Sequence, residues 1–459
     1  MLNVEKKLNT DTNSKDKRHL KVCEINYKNN LDSDYTEKME SLEKSFDYAI
    51  NSNHFWSEPE LSILYGTPLY AEASPAQKLV LNHLYWTSQY DYIAASEASA
   101  IHYNQVTSGV FSHFGEYETL CLTLDRETDQ EYSHIHAFQK ISHKIKTALF
   151  GKGLLGSNPL KSSNTNLSKK LLPDSLQKFL TTKNRRTSPS DIEYRALRFI
   201  NKMMMQNSSY CYSEYLQDIE TKGNVIPPMT RGYIGVAIPL QLQKFLTFNW
   251  GSSPFLACQH YTYRFTGNLA LKSYEYRYSK YFRDLERKEA FIPAPTAISH
   301  YHLLDESLHT TTSQLIGRDM YKDFPKPTVY EQVSANAITY MMQRGFLGEL
   351  SGGMMSGFRG DATFMALYYK ILRSRIFEMS HQDALHWMEK CLCGEHEGFH
   401  VNLKYHHRLH TDLCRFTSNL EYLWLINREL KIMASGASIS NAIQKNQNAL
   451  QQFSASIAA

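Results

Sequence analysis

The sequence predicts an all-α protein. Apolar positions recur at helical spacing through long segments, strand-like alternation is scarce, and prolines and glycines fall where helices would start and stop. Of the 459 residues, 42% are hydrophobic and 21% charged, ordinary globular composition with material for a large core. This length suits about two or three domains, although a helical enzyme can gather it around one core.

Residues 1–38 are polar with few apolar anchors and read as a flexible arm. From Tyr35 to Ser52 the pattern turns helical. Ser74-Pro75 looks like a cap with proline in the first turn, opening a helix through Val80, Leu84 and Tyr90 to about His102. Glu116 begins a stretch to about Leu149 in which Leu120, Leu124, Phe138 and Ile141 share one face. Gly151, Gly153, Gly156, Pro159 and a Ser/Asn/Thr cluster break the pattern, so 151–190 reads as an insertion.

Helical spacing resumes from Asp191 to Met205 and near Gln241. Two further helices are expected over Gly267–Glu286 and Thr296–Ile316, the second entered through Pro293 and Pro295 and closed by Gly317. More helices follow near 326–345, 361–380 and 412–433, and the last residues are weakly patterned. The expected division is the arm 1–38, a helical-bundle domain 39–345 and a C-terminal helical extension 346–459 packed on the same core.

A net charge of +4, with basic residues spread along the chain, argues against nucleic acid as a partner. No run of about 18 apolar residues suggests a membrane span, and the polar N-terminus lacks the apolar stretch of a secretory signal. Seven cysteines without framework spacing fit free thiols in a reducing cytosol, so a soluble cytoplasmic protein is expected.

The strongest local signal is HLLDESLH. His302, Glu306 and His309 lie within about 60° of one another on a helix, so two imidazoles and a carboxylate point the same way. Glu131 and His134 form an E-x-x-H unit on the apolar face of the 116–149 helix, where burying them unpaired would cost several kcal/mol. A shared cation satisfies all of them together. Two E-x-x-H units, plus one Glu from each of two further helices, make the ligand set of ferritin-like di-iron proteins.

Glu97, flanked by Ala94, Ala100 and Ile101, is the first lone Glu. Glu275 is the second, because a short hairpin brings its helix beside that of His302; Glu193 is the competing choice. The predicted metal set is Glu97, Glu131, His134, Glu275, Glu306 and His309, with His302 as a seventh ligand. Oxygen and nitrogen donors without thiolate suit two iron ions, or manganese, that bind dioxygen. Asp305 is placed to orient His134, and Gln130 to serve His309 less strongly. Glu127, one turn before Glu131, reads as solvated, with support of the ligand cluster as the alternative.

The order E…ExxH…E…HxxxExxH, carried by Glu97, Glu131, His134, Glu275, His302, Glu306 and His309, resembles the p-aminobenzoate N-oxygenase family of soluble di-iron monooxygenases. The resemblance covers roughly residues 75–320 and rests on motif spacing; the long gap from Glu131 to Glu275 departs from it. It implies a ferritin-like helical bundle with extra N- and C-terminal helices, often dimeric. It also implies N-oxygenation of a small-molecule amine, an external electron donor, and a tuning role for His302; the alternatives are hydroxylation, desaturation or C–C cleavage by the same centre, or a metal-binding helical protein without turnover.

Cys391, Cys393, His396, His400, His406, His407, His410 and Cys414 gather in one stretch, but their spacing is not a standard zinc pattern, so core or surface roles are expected. The tyrosines around Glu275 read as aromatic packing. The glycines of 352–360 lack the Lys-Ser/Thr ending of a phosphate loop.

Overall fold

The computed structural model describes residues 17–151, 189–205, 210–222, 240–355 and 359–458. All but the ends of the predicted 151–190 insertion lie outside the described residues, as do Gly357 and Phe358. The described residues are all-α and contain no strand.

Four long helices carry the architecture: α1 (Pro75–Phe111), α2 (Glu118–Phe150), α3 (Pro254–Arg287) and α4 (Ala294–Arg318). Side-chain caps mark the starts of α1 and α3. Ser74 accepts from the Gln77 amide while the Gln77 side chain accepts from the Ser74 amide, a reciprocal cap ahead of Pro75. Ser253 caps α3 through the Leu256 amide, again with proline next. Short connections fold α1 on α2 and α3 on α4, and the two hairpins pack together.

Two glycines end predicted helices but not real ones. Gly267 lies inside α3, which starts at Pro254, and a Cβ there would meet open space. Gly317 lies inside α4, where a Cβ would come within 2.9 Å of the Thr262 amide nitrogen. Its role is to let α3 and α4 approach. Both α1 and α3 run well beyond their predicted limits because packing along their length outweighs weak local signals.

The expected loose arm holds a helix from Arg18 to Asp32. Its buried positions are Cys23, Asn26 and Asn30, which share one face, so apolar anchors are replaced by polar ones. Asn26 donates to the Leu308 carbonyl at 3.1 Å and to the Thr312 hydroxyl at 3.0 Å, tying this helix to α4.

The C-terminal portion forms helices Val329–Met342, Met365–Arg373, His381–Leu392, Glu397–Thr417 and Ile439–Ala458, with short pieces between them. The last of these occupies the stretch whose pattern is weak in sequence. Met365, Ile371, Leu392 and Leu450 share a core with Trp86, Phe138, Tyr278 and Ile298 of the four long helices. All seven cysteines are free thiols. Among the described residues, no helix is long and apolar enough to cross a membrane.

Asp323, just beyond α4, receives His19 Nε2 and the Tyr117 hydroxyl, each at 2.7 Å, and fastens the N-terminal helix. Burial disfavours its charge, yet hydrogen bonds from His19 and Tyr117 outweigh it and hold this carboxyl below its ordinary value. Its stabilisation is therefore present above the unfolded pKa of about 4 and lost as pH falls through the lower folded value. Asp323→Asn should speed amide exchange in residues 18–32 at neutral pH, and acid should do the same to the parent protein. Unchanged exchange in the variant would remove this clasp from the account.

Candidate metal centre

The inward face of each long helix carries its polar groups at helical repeats. On α1, Tyr90, Glu97 and Asn104 are seven residues apart and so nearly superimposed. On α2 the face holds Glu127, Gln130, Glu131 and His134; on α4 it holds His302, Asp305, Glu306 and His309. Arg264 and Glu275 on α3 are eleven residues apart, within about 20° on the helix. All of these side chains are buried.

The structure brings six of the seven predicted ligands into two groups. Glu97, His134, His302 and Glu306 offer donor atoms within 4.8 Å of one another, and so do Glu131, Glu306 and His309. Glu306 belongs to both. Glu275 stands beside these groups. Its Oε1 lies 2.6 Å from His302 Nδ1 and accepts from the Tyr90 hydroxyl at 2.7 Å, while His302 Nε2 lies 2.9 Å from Glu97. The side chain of Glu193, the competing choice, is outside the described residues.

The two E-x-x-H units face each other with a local symmetry. His134 Nε2 lies 3.2 Å from Asp305, and His309 Nε2 lies 3.0 Å from Gln130. Each imidazole thereby turns Nδ1 inward: that of His134 lies 3.5 Å from Glu131, and that of His309 lies 2.7 Å from Glu306. Fixing one ring nitrogen on a partner outside the cluster sets the tautomer and aim of the other.

Glu127 corrects the sequence reading. It is fully buried rather than solvated, and Arg264 pairs with it at 2.8 Å and with Glu131 at 2.9 Å. Arg264 also donates to Asn104 at 2.8 Å. Sequence reading missed Arg264, Asn104 and Tyr90, although their repeat spacing to Glu275 and Glu97 was a usable signal.

Electrostatics make the cluster short of positive charge. Among the described residues, the acids Glu97, Glu127, Glu131, Glu275, Asp305 and Glu306 face the buried cation Arg264, with Lys272 near Glu306 and Glu275. Burial lifts the Glu97 carboxyl to about 7, helped by the Glu131 charge and opposed by His302. Burial works against the charged forms of His302 and His309, but the adjacent carboxylates, Glu275 and Glu306 foremost, push both well above the usual histidine range. His134 is raised to about 9 by Asp305 and Glu131 against the same burial effect. Protons thus stand where cations would. Glu97 Oε2, Glu131 Oε2, Glu275 Oε2 and His134 Nδ1 are buried without any hydrogen-bond partner. Orphaned oxygen and nitrogen donors converging without thiolate fit a pair of iron or manganese ions.

A cavity of about 210 Å³ reaches this cluster between α1 and α3, bounded at its inner end by Glu97, Glu131 and Glu306. Small side chains of α1 (Ala95, Ser96, Ser99 and Ala100) and Gly267 of α3 make room for it, and Leu246, Leu271, Met342 and Phe346 give it apolar walls. Elsewhere, the Cys/His stretch of 391–414 is spent on other contacts. His396 lies 2.6 Å from the Cys391 carbonyl, His406 lies 2.9 Å from the Met433 carbonyl, and His400 pairs with Glu395.

Fold and site together define an all-α protein whose core holds a buried carboxylate–imidazole cluster of the kind that can hold metal, beside a cavity of about 210 Å³. The chain belongs to the CylC-like acyl halogenase family, whose family model matches residues 18–454. No curated protein and no solved structure matched. The resemblance to p-aminobenzoate N-oxygenases is thereby corrected. It rested on ligand spacing over part of the chain, and such spacing reports the metal rather than the substrate. The amine substrate and N-oxygenation rested on that resemblance and lose their support with it.

Removing Arg264 leaves two buried carboxylates uncompensated. Arg264→Leu should destabilise the metal-free protein by about 3–5 kcal/mol in urea unfolding, with Glu127→Gln in the same chain recovering part of the loss. A single variant as stable as the parent would contradict the pairing.

Proposed function

We propose that this protein is a di-iron halogenase that uses dioxygen to replace a C–H bond of an acyl chain by a carbon–halogen bond. The observation that carries this reading is the apolar cavity ending on Glu97, Glu131 and Glu306. It lets a hydrocarbon chain, rather than a polar head, meet the ligand cluster. Family membership supports both the acyl substrate and the halide.

A bound iron pair supplies the oxidising power for this exchange. In the overall balance, halide and the C–H carbon end in one product, dioxygen becomes two waters, and an external donor provides two electrons. The protein's own groups set the stage. Glu97, His134, His302 and Glu306 would hold one ion and Glu131, Glu306 and His309 the other, as their donor atoms converge in two groups. Asp305 and Gln130 aim the imidazoles, while Glu275 and Tyr90 steady His302. Arg264 pairs with both Glu131 and Glu127 without exposing either to water. The apolar walls exclude water from the reacting end, where it would compete with halide.

The anaerobically reconstituted protein should contain about two irons per chain. Glu306→Ala should lose both, because both groups share that carboxylate, and His309→Ala should keep the Glu97, His134, His302 and Glu306 position. Metal analysis by plasma mass spectrometry decides this, and full iron content in both variants would defeat the ligand assignment. With medium-chain thioesters, a reductant and chloride, the wild type should consume oxygen and yield a product with the chlorine isotope pattern. Hydroxylated product alone, at saturating chloride and bromide, would sink the halogenase reading.

Gly267→Leu places a side chain in the cavity rather than in packed protein. Helix stability should hold or rise slightly, since glycine within a helix costs about 0.5–1 kcal/mol relative to alanine. Iron content should stay unchanged and turnover of long chains should fall at least about tenfold, a barrier change of about 1.4 kcal/mol. Undiminished turnover would show that substrate approaches from elsewhere.

A further inference from the structure

The cavity wall away from the carboxylates contains a polar side chain that the protein leaves uncommitted. His260 of α3 lines the cavity and is 3% exposed, yet neither ring nitrogen has a hydrogen-bond partner. Its surroundings are aromatic, with Trp250 at 4.5 Å, Tyr103 at 4.8 Å and Tyr261 at 5.0 Å between ring centres. Those neighbours spend their polar atoms elsewhere. Trp250 Nε1 donates to Gln259, Tyr261 donates to Asn104, and the Tyr103 hydroxyl meets Thr247. Arg264, one turn along the helix, is occupied by Glu127, Glu131 and Asn104.

Burial, aided by the charge of Arg264 and by His102, pushes the His260 pKa well below the usual range, so its ring is neutral. A neutral imidazole presents one N–H donor and one lone pair. With no free counter-charge beside it, it suits an uncharged acceptor and not a carboxylate or an amine.

We propose that His260 donates a hydrogen bond to the carbonyl oxygen of the acyl substrate and so fixes which carbon of the chain reaches the carboxylate end. The inference rests on the acyl reading above and adds a specificity-determining residue to it. Its position supports a fixed register. His260 and Arg264 are one turn, about 6 Å, apart along α3, and Arg264 touches Glu131 at the inner end. The carbonyl would therefore be anchored on the same rigid helix that contributes to the reacting end.

The test uses the full chain and calorimetric binding of two probes, N-methyloctanamide and the ether of equal chain length. The wild type should favour the amide by about tenfold, the worth of one hydrogen bond in such a site. His260→Phe should abolish that preference while leaving ether affinity unchanged, and His260→Gln, which keeps a donor, should restore part of it. In the iron-loaded protein, His260→Phe should spread the halogen over several carbons where the wild type selects one. Equal affinities for both probes in the wild type, or an amide preference surviving in His260→Phe, would overturn the assignment. If His260→Phe does not fold, loss of preference in His260→Leu with partial retention in His260→Gln carries the same weight. Wild-type amide preference without any halogenated product would instead remove the proposed function and leave His260 as a carbonyl-binding group.

Discussion

A helical core in which buried acids face buried histidines and one guanidinium governs this protein. Six acids and a single guanidinium are enclosed by four helices, and taking charges out of water costs several kcal/mol for each ion left uncompensated. The long helices, the inward repeats and the enclosing aromatic core all serve to keep those groups at fixed distances despite that cost. The proposed metal binding would neutralise several carboxylates while using imidazole lone pairs that otherwise hold protons.

Rigidity follows from how the cluster is supported. His134 and His309 are each gripped on Nε2 by a group from another helix, and His302 is held between Glu275 and Glu97. Arg264 ties α3 to α1 and α2 at one level, and Tyr90, Glu275 and His302 tie α1, α3 and α4 at another. The cavity exists because the same helices carry small residues opposite one another just outside this cross-linked layer. A packed apolar core would have closed it.

The start of helix Pro75–Phe111 was visible in the sequence because cap and proline agreed, and Glu118–Phe150 because its apolar face is periodic. The N-terminal helix was not, because its buried face is asparagine and cysteine, residues that read as surface until their partners on α4 are known. Gly267 and Gly317 misled in the opposite direction: glycine looks like a helix end in one dimension, but here it answers to a cavity and to a close helix contact. Glu127 looked solvated for want of its partner, since Arg264 lies more than a hundred residues further along the chain. The family was misread for a related reason. Ligand spacing is set by coordination chemistry, and the reaction depends on walls built from segments outside the motif.

By itself the sequence determined that the protein is helical and that two E-x-x-H units, a further histidine and inward glutamates would share helix faces. Helical periodicity is local and needs no neighbour to be read. Which of those groups meet, that Glu306 lies between two donor groups, that Glu275 supports His302 from beside them, and where a substrate can enter were decided by tertiary structure alone. Distances between side chains on different helices depend on packing angle and register, and no stretch of chain contains that information locally.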